Sequence, residues 1–191
     1  MAVMIYTRFE DIGRLQYDLI MADPPWNFRT YSARGNAKSA SSKYECMSID
    51  EIKAMRVCDL ASHDCVLWLW ATNPMLPQAL DVLSAWGFAF KSAGHWVKRT
   101  RHGKLAFGTG YVLRSAGEPF LIGTIGRPKF ARNVRSVIDA RAREHSRKPD
   151  EAYAAADRLV PNAVRRLDLF GRETRRGWDV FGNEPTKFYG E

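Results

Sequence analysis

Residues Tyr17–Trp26 read YDLIMADPPW. The run from Tyr17 to Asp23 is short and mostly apolar, and it ends in an acid followed by Pro24 and Pro25. That pattern predicts a buried strand, stopped where proline can no longer donate to a ladder. In open α/β sheets, ligands bind beyond the carboxyl ends of the strands. A carboxylate, two prolines and the Trp26 indole at such an end predict a stiff, apolar-walled pocket with one acid in it.

Outward from this stretch, apolar runs alternate with helix-like segments, which predicts an α/β domain with a largely parallel sheet. Further strands are expected at Asp64–Ala71, Phe88–Lys98, Pro119–Ile125, Ala163–Phe170 and Trp178–Phe181. Ser48–Met55 predicts a helix opened by a capping box, Ser48 with Glu51. Pro74–Trp86 predicts a second, with Leu76, Ala79, Leu80 and Leu83 on its apolar side. Pro149–Leu159 predicts a third, with Ala152, Ala155, Ala156 and Leu159 facing inward. Asn27–Tyr44, rich in Ser, Gly, Arg and Lys, is expected to be a mobile loop, and Arg99–Gly117, glycine-rich and basic, another; stretches of that length are lids, binding loops or disordered segments, and Gly108-Thr109-Gly110 reads as a hinge in the second.

The chain has 191 residues, 46% of them hydrophobic, which predicts one domain over 1–191 with a sizeable core. No apolar run approaches the roughly 20 residues of a membrane span, and the N-terminal segment does not read as a signal peptide. Membrane association is therefore not expected, and a cytoplasmic protein of microbial or phage type is. Cys46, Cys58 and Cys65 form no disulfide framework, and Cys58, His63 and Cys65 lack the paired spacing of a metal site. Net charge is +8. Gly126–Pro149 holds eight Arg or Lys against Asp139 and Glu144, and the two loops add Arg29, Arg34, Lys38 and Lys43, then Arg99, Arg101, Lys104 and Arg114. A polyanionic partner is expected, with nucleic acid the first choice.

Several ordered motifs share one likeness: MADPPW at the first strand, Lys43-Tyr44 with Met47-Ser48, LWLWAT at 67–72, Arg147-Lys148-Pro149-Asp150-Glu151, Leu169-Phe170-Gly171-Arg172, and Gly182-Asn183-Glu184. The sequence resembles the MT-A70 family of adenine-N6 methyltransferases from about Tyr17 to Asn183. The resemblance implies a Rossmann-like fold for S-adenosylmethionine-dependent methyl transfer, with the catalytic DPPW strand preceding the cofactor strand. It implies Asp23, Pro24, Pro25 and Trp26 as the catalytic set. S-adenosylmethionine would be bound by Asp23, Lys148, Phe170, Arg172, Asn183 and Glu184. Tyr44, Trp70, Asn73 and Glu118 would contact the target. Thr174 and Arg147 stand where some relatives carry histidine, and the chain lacks an acid where some relatives use one for the cofactor's adenine, a place Asp11 is not expected to fill.

An adenine amine is a poor nucleophile because its lone pair is delocalised into the ring. It gains reactivity when both N–H groups donate to fixed acceptors, here the Asp23 carboxylate and the Pro24 carbonyl. Trp26 would offer a stacking face for a flipped base. DNA is the favoured substrate and RNA the alternative. A catalytically inactive MT-A70-like binding subunit is a second reading, and a small-molecule or protein methyltransferase a weaker third. Target binding is expected from the loops or from a partner chain, either a second copy or a separate subunit.

Overall fold

The computed structural model describes residues 2–27, 46–110, 112–144 and 147–188. Among them, eight strands form one sheet: β1 (Ile5–Tyr6), β2 (Tyr17–Ala22), β3 (Ala61–Trp70), β4 (Ala89–Arg99), β5 (Gly117–Ile125), β6 (Val137–Arg141), β7 (Arg166–Leu169) and β8 (Asp179–Phe181). The spatial order is β1-β8-β7-β2-β3-β5-β4-β6. From β1 to β3 every pairing is parallel. β5 then runs antiparallel to both β3 and β4, and β6 is parallel to β4. The sheet is mostly parallel, as an α/β Rossmann-like methyltransferase fold requires.

β2 explains why its sequence is a continuous apolar run. Leu19 and Met21 pack into one core, Ile20 and Ala22 into the other, because side chains alternate across a sheet covered on both faces. The first core includes Ile52 of helix α1 (Ile49–Ala54) and Ala79, Val82 and Leu83 of α2 (Leu76–Ala85). The second joins Trp68, Trp70 and Phe120 to Ala152, Ala155 and Ala156 of α3 (Asp150–Leu159). There Trp68 stacks on Phe120 with ring centroids 4.1 Å apart.

The predicted capping box forms: the Ser48 N–H donates to Glu51 Oε2 at 2.7 Å, and the Glu51 N–H to Ser48 Oγ at 3.2 Å. Elsewhere the boundaries shift. A short 3-10 turn at Asn73–Met75 precedes α2, and the helix buries Val82 while Leu80 stays exposed. β6 lies inside the cation-rich stretch and was not expected. It is a five-residue edge strand in which only Ile138 and Ala140 face inward, so its apolar signal is two residues long. β1 is shorter still. The stretch Arg99–Gly117 is, among the described residues, a loop over 100–110 and 112–116, since β4 runs through Arg99 and β5 begins at Gly117. Most of Asn27–Tyr44 lies outside the described residues. Among the described residues, no helix is long and apolar enough to cross a membrane.

Gly94 of β4 sits where a Cβ would fall 2.1 Å from the Phe120 ring and 2.5 Å from the Ser136 carbonyl oxygen. The backbone contact cannot yield by a rotamer change. Gly94→Ala is expected to destabilise the fold by about 2 kcal/mol, seen as a lower urea midpoint at unchanged slope.

Candidate active site

The parallel strands all point their carboxyl ends to one edge of the sheet, and the site lies there. Asp23-Pro24-Pro25-Trp26 follows β2, Ala71-Thr72 follows β3, Phe170-Gly171-Arg172 follows β7, and Asn183-Glu184 follows β8; all of these line one cavity of about 1020 Å³. β5 is antiparallel to β3, so its beginning, not its end, reaches the same edge and delivers Glu118. β4 is antiparallel to β5, so its end delivers Lys98. Lys148 arrives just before α3.

These side chains form one ion cluster. Lys148 Nζ lies 2.7 Å from Asp23 Oδ2 and 3.1 Å from Glu118 Oε2, and Lys98 Nζ lies 2.6 Å from Glu118 Oε1. Lys148 is only 8% exposed. Burial works against its ammonium, but the charges of Asp23 and Glu118 prevail and hold its pKa above the usual lysine value. Burial also opposes the Glu118 carboxylate, yet the two lysines bring its pKa down to about 2. Burial pushes the Asp23 carboxyl up, Lys148 pulls it back, and the neighbouring Glu118 charge raises it again. Asp23 is thus a carboxylate with heightened appetite for a proton, held in place through one oxygen.

The DPPW turn is locked by backbone bonds. The Asp23 N–H donates to the Leu169 carbonyl at 3.2 Å, Trp26 N–H to the Pro24 carbonyl at 2.8 Å, and Met47 N–H to the Pro25 carbonyl at 3.1 Å. The Pro24 oxygen therefore keeps one lone pair for a ligand. Trp26 corrects the expectation of an open stacking face. It lines the cavity but is 3% exposed, and its indole N–H donates to the Trp70 carbonyl at 3.2 Å.

The six residues expected to bind a cofactor, Asp23, Lys148, Phe170, Arg172, Asn183 and Glu184, all line the cavity. Phe170 adopts φ 66°, a conformation that costs a bulky residue on the order of 1 kcal/mol. Its ring meets that of Phe181 edge-on at 5.9 Å. Arg172 and Glu184 form an ion pair with each other, and Lys187 shares Glu184 at 2.9 Å. Glu10 lines the cavity, whereas Asp11 beside it does not.

The expected target residues divide. Glu118 is in the cavity. Trp70 is buried in the second core and is absent from the cavity's lining; its ring lies 5.3 Å from Lys148 Nζ. Asn73 is exposed and Thr72 takes its place in the wall. Tyr44 lies outside the described residues.

Behind the cavity, Asp23, Trp70, Lys148, Tyr153 and Asp168 line a chamber of about 20 Å³, room for one water. Asp168, on β7, accepts the Tyr153 hydroxyl at 2.8 Å. Burial pushes its carboxyl up to about 7; the Tyr153 bond and Arg175 oppose this, while the charges of Asp23 and Glu173 add to it. Neither Asp168 nor Lys98 was singled out from sequence. The signal for Asp168 was an acid inside a buried strand. Lys98 had none, since only the antiparallel pairing of β4 and β5 brings it to Glu118.

The cation-rich stretch 126–149 is partly committed within the chain. Lys148 is buried, Arg143 pairs with Asp150 at 2.8 Å, and Arg147 pairs with Glu173 at 2.9 Å and Glu144 at 3.1 Å. Arg127, Lys129, Arg132 and Arg135 remain exposed.

An α/β sheet with an acid-proline-proline-tryptophan turn and a glycine turn facing one large cavity defines a Rossmann-like methyltransferase. The MT-A70 family model matches residues 17–184, and the chain belongs to the MT-A70 family. It is 29% identical to the type II methyltransferase M.MunI of Mycoplasma sp, over 92% of this chain and 81% of that protein. It is 33% identical to the N(6)-adenosine-methyltransferase MT-A70-like protein of Arabidopsis thaliana over 88% of this chain. It is 29% identical to the N(6)-adenosine-methyltransferase catalytic subunit METTL3 of Homo sapiens over 93%. The match spans only 24% and 30% of those two proteins.

Asp168 makes a pH prediction. Its folded pKa, about 7, stands above its ordinary 3.8. The folded state therefore holds a proton that the unfolded state has lost, and this contribution to stability declines as pH rises from about 4 to 7. Asp168→Asn keeps an acceptor for Tyr153 and removes the titration. Its stability relative to the parent protein should rise between pH 5 and pH 8, by on the order of 1–3 kcal/mol, read by thermal melts at both pH values. A difference independent of pH would show that Asp168 is not held protonated.

Proposed function

We propose that this methyltransferase transfers the methyl group of S-adenosylmethionine to the N6 amine of adenine in DNA. The observation that carries the reading is Asp23, held by Lys148 and followed by Pro24 in the wall of the cavity. S-adenosylmethionine supplies a methyl group made electrophilic by its sulfonium. The donor set fits that molecule: Arg172 and Lys148 suit its carboxylate, Asn183 and Glu184 its ribose hydroxyls, and Phe170 its adenine.

Asp23 and Pro24 act on the target. Lys148 occupies Asp23 Oδ2, so Oδ1 accepts one amine N–H while the free lone pair of the Pro24 oxygen accepts the other. Both acceptors favour the positive charge that builds on nitrogen, and both are fixed in advance. The same Asp23 oxygen takes the proton that the methylated nitrogen gives up; burial, which raises its proton affinity, suits it to that task. Pro25 and Trp26 hold the turn and keep water from its inner side.

Two features favour DNA. The Mycoplasma relative, of which the chain spans 81%, carries the name type II methyltransferase. The exposed cations Arg127, Lys129, Arg132 and Arg135 and those of the 100–116 loop suit a phosphate backbone. RNA is the second reading, supported by the relatives named for N(6)-adenosine.

Labelled methyl transfer to duplex DNA, single-stranded DNA and RNA, with nucleoside digestion, tests the reading: N6-methyladenine in DNA is expected, and in RNA alone would move the assignment. Asp23→Asn should cut transfer at least about a hundredfold while the fold persists; near-normal turnover would remove Asp23 from the mechanism. DNA affinity should fall steeply between about 50 and 200 mM salt, measured by fluorescence anisotropy, and a flat response would exclude the basic surface as the binding face.

A further inference from the structure

The 100–116 loop rises from the site itself. Its two roots are Lys98 and Glu118, which pair at 2.6 Å beside Lys148. Its stalk is tied by backbone bonds: Lys98 N–H to the Ala116 carbonyl (2.9 Å), Ala106 N–H to that of Lys98 (2.8 Å), and Gly108 N–H to that of Ser115 (2.7 Å). Arg99 is braced by Asp139 at 2.7 Å. The outer part carries Phe107, Val112 and Leu113, which are 82%, 93% and 84% exposed. Arg101, Lys104 and Arg114 are exposed on the same loop, and no Asp or Glu occurs between Arg99 and Gly117.

Exposed apolar side chains interspersed with cations and with no acid among them do not suit water. They suit a polyanion with an apolar interior. Asp23 is recessed in the cavity wall, so a paired adenine can present its amine there only by leaving the base stack. Its departure opens an apolar slot that costs stacking energy until something fills it.

We propose that the 100–116 loop is a wedge: its cations grip the phosphates beside the target, and Val112 and Leu113 enter the stack of a double-stranded substrate as the adenine swings into the cavity. This rests on the adenine-N6 reading above. The loop is then the device that makes the enzyme competent on paired adenine, while Asp23 and Pro24 handle the amine whatever its source.

The test compares the parent protein with the double variant Val112→Ala, Leu113→Ala on three substrates of one sequence: a duplex, the same duplex with an abasic site opposite the target adenine, and the unpaired strand. The variant should lose about tenfold or more on the duplex, since unstacking a step costs a few kcal/mol, and stay within about threefold of the parent on the other two. Leu113→Met alone should keep duplex activity. Equal losses on all three substrates, no loss on the duplex, or a parent protein active only on unpaired strands would overturn the wedge and leave the methyl-transfer reading standing. A parent dimer that the double variant abolishes would assign the tip to a second copy and overturn it too. If the parent protein methylates no nucleic acid, the functional reading itself falls, and the wedge with it.

Discussion

The ion pairs of Lys148 tie three parts of the chain to one point. Asp23 ends β2, Glu118 opens β5, and Lys148 precedes α3. These segments are far apart in sequence; β3, paired with both β2 and β5, brings the first two to the same edge. A buried ammonium without partners would be costly, as would either carboxylate alone. The cluster is therefore satisfied only when all three ends converge, and Lys98 adds the second positive charge that balances the two acids. The demand for neutrality sets the shape of the cavity's polar wall.

Around that point, a second layer of ion pairs holds the approach to α3. Arg143 and Arg175 share Asp150, and Arg147 and Arg175 share Glu173. Arg175 also lies 3.8 Å from the centre of the Tyr153 ring, whose hydroxyl binds Asp168. The stretch that seemed a surface of free cations thus splits in two. One part anchors the helix that presents Lys148, and the other remains at the surface. Net charge could not distinguish these duties, because an arginine looks the same in sequence whether or not an acid stands opposite it.

The antiparallel turn of the sheet at β5 has a functional consequence. In a wholly parallel sheet only strand ends would reach the site. By reversing β5, the fold brings a strand beginning, Glu118, and the end of β4, Lys98, to the same edge. The hairpin between them is thereby rooted in the ion cluster of the site. One reversal supplies both a buried ion cluster and an exposed basic loop.

The sequence alone determined the strands buried on both faces, because an uninterrupted apolar run such as Leu19–Ala22 has no other comfortable place. It also determined the capped helix at Ser48 and the place of Asp23-Pro24 at the end of a buried strand; the cavity-lining residues after β7 and β8 were reached through the family resemblance, not through the pattern of strands. Short edge strands were not legible: β6 offers two buried side chains amid charge. Nor were the pairings of Lys98 with Glu118 or Tyr153 with Asp168, which depend on strand direction and on how α3 lies over the sheet. The indoles show the division most plainly. Trp26 and Trp70 could have been platforms for a base, and a Trp has the same side chain in either duty. Only the packing of the sheet, which buries both and joins the Trp26 N–H to the Trp70 carbonyl, decided that they hold the turn in place.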